Sequence, residues 1–331
     1  MKNSLAIVVL TWNDFRNTKR CIQSIFPSLS RKIKLILVDN GSEDYFYQKN
    51  LNFLKENYKN EILQIKKNFN KNIFKINKKI FTIKNNINMG CGYGHNTGYK
   101  LALNNNSEFI ARIDNDMIVP KNFFKNILKN FEGTNVMAVS PKIMYAKQKK
   151  QIWWMGTEIS NNLKIQRHLR NYPYRLQDNK KYSGIVKTDA IAGCASIMRS
   201  SRIKQVGLSD PDFFYGPEDV EFSRRIFKKE GSLIVDRNLK IYHAVTQSFV
   251  NLNRRKIYFE YKYRLVLIKK IGTIFDKIFG YLISILKFII YCFLFFHPKH
   301  NFKIVPVFFA LKHFFEKKLG HYDRSKKFIF K

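Results

Sequence analysis

The chain has 331 residues, room for one large domain or a domain with an appendage. An apolar share of 45% with 15% aromatics excludes wholesale disorder. Lys and Arg number 60 against 24 Asp and Glu, a net charge of +36 that draws a chain to something polyanionic: nucleic acid, an anionic membrane face or phosphorylated substrates. The Lys residues are diluted by Asn, Ile and Phe throughout, so part of the surplus reads as compositional drift. Cys21, Cys91, Cys194 and Cys292 show neither CxxC nor Cys/His spacing. That argues against a zinc site or a disulfide framework and for a reducing compartment.

In chain order, Leu5–Leu10 reads as a buried strand. It is too short for a secretory signal and runs straight into Thr11-Trp12-Asn13-Asp14, so a cytosolic catalytic part is expected. Phe15–Phe26 carries apolar residues at helical spacing and stops at Pro27. Ile33–Val38 is a second strand ending in Asp39-Asn40-Gly41-Ser42, and Tyr45–Tyr58 a helix. This order predicts an α/β fold, a mostly parallel sheet with helices on both faces. Lys59–Asn86, rich in Lys and Asn, reads as an elaborated hairpin or surface insertion. The glycine-rich Asn88–Gly98 precedes a helix over Gly98–Leu103. Phe109–Ile113 reads as a strand, Asn122–Phe131 as a helix and Val136–Pro141 as a strand. Ile152–Gly184 is irregular and substrate-facing in character. Thr188–Met198 is apolar with a Gly193-Cys194-Ala195-Ser196 break, Glu218–Lys229 is helical, and Ser232–Val235 is the last strand.

Past Asn251 the chain turns basic and apolar, with 18 Lys/Arg against 4 Asp/Glu. Ile278–Phe296 is long enough to cross a bilayer core and holds one charge, Lys287. A central Lys costs about 2.5–3.5 kcal/mol on the insertion scale, and a single crossing from the cytosol would put a basic tail on the wrong side. A second apolar run, Phe302–Phe315, follows. A re-entrant hairpin or helices lying in the interface with Lys snorkelling satisfies both constraints. The alternative is a helical pair packed on the preceding domain as ordinary core.

The chemistry gathers in five segments. Asp114-Asn115-Asp116 closes the apolar run Glu108–Ile113. Two carboxylates two residues apart at a strand end can aim at one point, where a hard cation bound to phosphate takes carboxylate ligands. Alone, the same residues would make an Asx turn capping the strand. The other segments are Leu10–Asp14, Val38–Ser42, Asn88–Gly98 and Phe213–Glu221. In a parallel sheet the strand C-terminal ends share one edge, so the segments around Thr11, Asp39 and Asp114 should line one crevice. Taken singly, Thr11, Asn13 and Asp39 read equally well as caps and turns. The glycine-rich segment says only that backbone bends tightly or approaches something closely. It lacks the Gly-Lys-Ser/Thr of a P-loop.

In this order the five segments resemble the family 2 glycosyltransferases over roughly residues 4–247. The likeness is greatest to the rhamnosyltransferase-like branch of bacterial surface-polysaccharide synthesis, through Asn88–Gly98, Gly193–Glu221 and Arg254–Lys270. The resemblance implies an α/β GT-A fold, Rossmann-like, with a nucleotide-binding half over about 1–120 and an acceptor half over about 121–250. A helical, basic and apolar membrane-associating extension follows over 251–331. The implied reaction is inverting transfer of a hexosyl or deoxyhexosyl group from a nucleotide-diphosphate sugar, dTDP- or UDP-linked, to a saccharide or polyprenyl-diphosphate-linked acceptor. Thr11, Asn13 and Asp39 would hold the base and ribose, with Gly90 and Asn96 also on the donor side. Asp114 and Asp116 match the DXD motif for Mg²⁺ or Mn²⁺. Asp116 is the expected direct ligand, and Asp114 a partner for ribose or a metal-bound water. His243 stands where some members place a further metal or diphosphate ligand, although a lone strand-end His is as readily structural. Glu218-Asp219 matches the motif that supplies the general base. A helix N-terminus stabilises an anion, which favours one of the pair as a positioned structural acceptor and the other as base. Asp219 is taken as the base, although spacing does not separate neighbours. The implied location is the cytoplasmic face of the cell membrane, peripheral or re-entrant, with an anionic membrane surface as partner.

Two rival readings fare worse. A sugar-nucleotide nucleotidyltransferase needs a basic Gly-rich loop after the first strand, where Thr11–Asp14 stands. A nucleic-acid-binding protein finds no recognised motif here. The charge concentrates beside apolar helices, which suits an anionic membrane, so no nucleic-acid partner is expected.

Overall fold

Strands Leu5–Thr11 (β1) and Ile33–Asp39 (β2) are buried on both faces, which is why each reads as one continuous apolar run. The computed structural model describes residues 4–65, 73–159, 165–167, 176–227, 231–244, 254–294 and 298–320. After β1 come α1 (Arg16–Ile25), β2, α2 (Asp44–Tyr58), β3 (Ile62–Ile65), β4 (Ile80–Lys84), α3 (Cys91–Asn104), β5 (Phe109–Asp114), β6 (Met117–Ile118), α4 (Phe123–Leu128) and β7 (Val136–Tyr145). The second half adds β8 (Ile152–Trp154), β9 (Thr157–Ile159), β10 (Ile165–Arg167), β11 (Ile185–Lys187), β12 (Ala195–Arg199), α5 (Ser200–Val206), α6 (Glu218–Phe227) and β13 (Ser232–His243). Three helices close the chain: α7 (Arg254–Ile271), α8 (Ile274–Phe293) and α9 (Pro298–Phe315).

The main sheet runs β11-β13-β7-β12-β5-β1-β2-β4-β3, with β6 on β13 and β8 on β7. Its core is parallel: β3, β4, β2, β1 and β5 all run one way. β12 enters antiparallel between β5 and β7, as the chain turns from the first half to the second. One face of β1 (Leu5, Ile7, Val9) packs with Cys21 and Ile22 of α1, Phe53 and Leu54 of α2, and Phe124 and Ile127 of α4. The other face (Ala6, Val8) packs with Tyr99 and Ala102 of α3 and Phe222 and Ile226 of α6. This is the predicted α/β sheet with helices on both sides.

Three expectations need correction. Lys59–Asn86 is no hairpin: β3 pairs parallel with β4, and β4 parallel with β2, extending the sheet. Ile80, Phe81 and Ile83 are core residues, hidden in the sequence by the Lys and Asn around them. The glycine-rich segment is not a loop before a helix, since α3 begins at Cys91. Its glycines serve close approach to other protein groups: a Cβ at Gly98 would lie 2.3 Å from Val8 Cγ1, and one at Gly94 2.8 Å from Asn40 Nδ2. The last strand also runs on to His243, carried past a register shift between Asp236 and Lys240. Within Ile152–Gly184 the structure places β8, β9 and β10, while 160–164 and 168–175 lie outside the described residues.

The three C-terminal helices form a layer of their own. Tyr258, Phe259, Tyr263 and Val266 of α7 pack with Val307, Ala310 and Phe314 of α9, with Val220 of α6 and with Phe213 and Phe214 before it. Residues 295–296 of the apolar run Ile278–Phe296 and residues 321–331 lie outside the described residues. No helix among the described residues is long and apolar enough to cross a membrane.

Candidate active site

Because β1, β2 and β5 are parallel neighbours, their C-terminal ends open on one edge. The register sets Thr11 opposite Asp39 and Leu10 opposite Asp114. The three strand-end segments predicted to line one crevice therefore end on one edge of the sheet. Asp39 is buried. Its Oδ1 accepts the Ser42 N–H at 2.9 Å, and its Oδ2 has no partner. Burial raises the Asp39 carboxyl, against the lowering effect of the Ser42 hydrogen bonds. The Thr11 hydroxyl turns inward, to Asp14 O at 3.1 Å and Thr18 Oγ1 at 2.7 Å. Asn13, at φ 48°, ties the two loops together: its Oδ1 accepts from Glu43 N–H and its Nδ2 donates to Glu43 Oε1. Trp12 is left 44% exposed on the rim.

Two residues expected on the donor side are occupied with protein instead. Asn96 is 2% exposed, donates to Ser209 O and accepts from Ser209 N–H. Gly90 (φ 80°) lies so close to Phe214 that a Cβ would sit 2.4 Å from its carbonyl oxygen. Next to it, Cys91 N–H donates to that same oxygen at 2.9 Å. Both brace the segment Ser209–Phe214 that leads into α6. Lys270 of α7 holds the same segment from the other side, through Asp210 at 2.8 Å and Asp212 at 2.6 Å.

The two acidic residues of Asp114-Asn115-Asp116 point to different company. Asp116 Oδ2 lies 2.9 Å from His243 Nε2, brought there by the pairing of β13 with β6. Asp116 Oδ1 and His243 Nδ1 are buried without partners. An orphaned carboxylate oxygen beside an imidazole fits a divalent cation such as Mn²⁺ or Mg²⁺ held from Asp116. Asp114 Oδ1 instead lies 3.7 Å from His95 Nε2. Loss of water around Asp114 raises its carboxyl to about 7, opposed by Arg112 and aided by the charge of Asp116. Burial keeps the His95 imidazole neutral, and its Nδ1–H donates to Cys91 O at 2.9 Å. Among the described residues, Cys91, His95 and Asp114 are the one trio whose ligating atoms all lie within 4.8 Å of each other. Arg112 Nη2 stands 3.1 Å from Cys91 Sγ, and burial raises the Cys91 thiol. A guanidinium beside a protonated thiol repels a cation, so this trio is a packed polar cluster.

Glu218 and Asp219 open α6 in different surroundings. Glu218 is 4% exposed and accepts from Arg112 Nη2 at 2.8 Å. Asp219 is half-buried, accepting Gly193 N–H on Oδ2 at 3.3 Å and Val220 N–H on Oδ1 at 2.9 Å. The residue after Gly193, Cys194, accepts the Asp114 N–H at 2.9 Å, so Asp219 stands beside the end of β5. Sequence reasoning missed Arg112. The available signal was a charged residue inside the apolar run Phe109–Ile113, since a buried cation requires a carboxylate.

Residues 6–206 match the protein-family model described as Glycosyl transferase family 2. No curated protein matches the chain. Among solved structures, the crystal structure of GalNAc-T7 with UDP, GalNAc and Mn²⁺ is similar with a TM-score of 0.55 and 14% identity, over 79% of this chain and 50% of that one. S. aureus TarS 1–349 is similar at 15% identity, over 80% of this chain and 65% of that one, with a TM-score of 0.47. The chain thus spans half the length of the GalNAc-T7 chain. The first likeness gives the fold, which is GT-A.

Proposed function

The chain belongs to glycosyl transferase family 2, and on that premise we propose that it moves a sugar from a nucleoside-diphosphate donor to a saccharide acceptor by an inverting single displacement. The observation that carries this reading is the shared edge of β1, β2 and β5. There Asp39, the Asp116–His243 pair and Asp219 converge on the C-terminal ends of parallel strands.

The residue roles follow from their surroundings. Asp39, with an unpartnered Oδ2, and the loop tied by Thr11 and Asn13 serve the nucleoside. Asp116 and His243 face the diphosphate, and Asp114 serves the ribose or a metal-bound water. When bound, Mg²⁺ or Mn²⁺ supplies charge neutralisation for the departing nucleoside diphosphate. Asp219 takes the proton of the attacking acceptor hydroxyl, because it is partly exposed beside the end of β5, where the Gly193 and Val220 amides orient its carboxylate. Glu218, committed to Arg112, positions α6 rather than reacting. Asn96 and Gly90 have no part in donor binding on this reading.

The branch resembled, rhamnosyltransferase-like surface-polysaccharide synthesis, favours a dTDP- or UDP-linked hexose or deoxyhexose and a lipid-linked saccharide acceptor. Residues 1–250 form the transfer domain. Residues 251–331, with 18 Lys/Arg against 4 Asp/Glu, form the extension that meets an anionic membrane surface at the cytoplasmic face.

The test is incubation of the full-length protein with Mn²⁺ and a panel of UDP-, dTDP- and GDP-sugars. At least one donor is expected to be bound and slowly hydrolysed, and Asp116→Ala to lower that rate by about two orders of magnitude or more. A chain that binds no donor, or an Asp116→Ala variant that behaves as the parent, ends the transferase reading.

A further inference from the structure

A water-facing helix of a globular protein turns its apolar side to the core and its polar side outward. Helix α8 does the reverse. The side it turns to α7 and α9 carries Lys277, Gly280, Tyr281, Ser284, Phe288 and Tyr291, the half-buried or buried positions of the helix apart from Asp276 of its N-terminal capping box. At about 100° per residue these fall within one arc of roughly 100°. Gly280 allows the close crossing, since a Cβ there would lie 2.7 Å from Ile268 Cδ1. The Tyr291 hydroxyl bonds that of Tyr261 at 2.9 Å, and Ser284 Oγ donates back to Gly280 O. The remaining arc is almost wholly aliphatic and aromatic. It holds 11 Ile, Leu and Phe side chains that are 39–83% exposed, among them Phe275, Phe279, Leu282, Leu286, Ile289 and Phe293. An apolar face that runs along a whole 20-residue helix is the kind of exposed patch that marks an interaction surface.

We propose that α8 is an in-plane membrane helix, whose outward face inserts into the boundary between headgroups and acyl chains of an anionic bilayer while its inward face stays on the protein. The proposal rests on the membrane partner proposed above and adds the element, the face and the orientation. Two observations select a lipid surface. The C-terminal layer presents exposed basic groups, Arg264, Lys269, Lys287 and Lys312, and Lys287 lies at the edge of the arc, where its stem can cover apolar surface with its ammonium in the headgroups. A second copy of this chain is the poorer occupant, because it brings the same +36 charge to the contact. The orientation follows from anchoring. From Gly280 to Tyr291 the inward face is fixed to α7, and α7 is fixed to the Ser209–Phe214 segment by Lys270 and by the stacking of Phe214 on Phe259. A helix held along its length by its own domain cannot stand across the bilayer. It meets the membrane side-on and brings the loop that leads to Asp219 to the surface where a lipid-linked acceptor resides.

The experiment uses the full-length chain in a Cys292→Ser background, with Phe275→Cys, Leu282→Cys or Ile289→Cys labelled by an environment-sensitive fluorophore. The Cys292→Ser chain without a new cysteine is the blank. Vesicles of phosphatidylglycerol and phosphatidylcholine carry quenchers at graded depths. The three positions share one face and span about 21 Å along the axis. All three are expected at one shallow depth, roughly 5–10 Å below the headgroups. A depth that grades from one end to the other overturns the in-plane reading even though vesicles are bound. Absence of vesicle binding, with Phe279→Glu/Leu286→Glu converting a sedimenting dimer to monomer, overturns it in favour of self-association. Absence of binding without a dimer removes the membrane partner itself. None of these outcomes touches donor hydrolysis, which is read separately.

Discussion

A guanidinium buried at Arg112 obliges a carboxylate to stay beside it, and Glu218, at 2.8 Å, is that carboxylate. Asp219, one residue on, accepts from the Gly193 and Val220 amides and keeps partial exposure. The two substitutions should therefore fail differently. Asp219→Asn is expected to retain donor affinity and melting temperature while kcat falls by about 10²–10⁴. Glu218→Gln leaves Arg112 as an uncompensated buried charge, which costs about 3–5 kcal/mol of stability. It should lower the melting temperature, and Arg112→Met/Glu218→Met should regain much of that loss. Thermal denaturation alongside donor titration separates the two. A Glu218→Gln variant that melts like the parent but transfers nothing would make Glu218 the base. At this scale the sequence revealed the acidic positions, because acidic clusters that end apolar runs are visible locally. It did not reveal the Arg112–Glu218 pairing, since the partners are 106 positions apart. The protein contacts of Gly90 and Asn96 were not legible for a related reason: a Gly or Asn needed by protein looks the same as one needed by ligand.

Helix α3 is defined by how close it comes to the sheet. Gly98 faces Val8 of β1 with no room for a methyl group, and Gly92 faces the Glu218 side chain. Glycine inside a helix costs about 1 kcal/mol relative to alanine, so its presence here marks a contact that alanine would break. Gly98→Ala is expected to destabilise by about 1–3 kcal/mol despite its better helix propensity, because the overlap with Val8 outweighs it. In urea denaturation, Gly98→Ala/Val8→Ala should be more stable than the sum of the single effects. An additive result would show that the helix simply shifts outward. The same helix shows the limit of periodic patterns. Strands β1, β2 and β5 were legible because burial on both faces makes a continuous apolar run. The start of α3 was not, because glycine signals turns in isolation and close packing only in context. Strands β3 and β4 were missed because three apolar residues apiece among lysines and asparagines carry little signal without the strands they pair with.

For the whole molecule, the surplus of 36 positive charges acts on folding and on docking in opposite directions. In the folded state the charges are brought closer together than in the unfolded chain, so their repulsion opposes compactness. The Debye length shrinks from about 30 Å at 0.01 M salt to about 10 Å at 0.1 M, which screens repulsion across the protein more than short, sheltered pairs such as Arg112–Glu218. The melting temperature is therefore expected to rise as NaCl increases from about 0.01 to 0.3 M. Over the same range, attraction between the exposed Lys and Arg of the C-terminal layer and anionic lipid, worth about 1 kcal/mol for each residue near the surface, is screened away. Vesicle affinity should fall, but not to zero, because burial of the outward face of α8 does not depend on salt. Substituting Phe279→Glu/Leu286→Glu should remove the salt-resistant remainder and leave the melting curve's salt slope unchanged. A melting temperature that fell with salt would mean that exposed ion pairs, such as Lys84–Asp44, outweigh net repulsion. Vesicle binding that vanished at 0.3 M NaCl would mean that charge alone, without the apolar face, carries the docking.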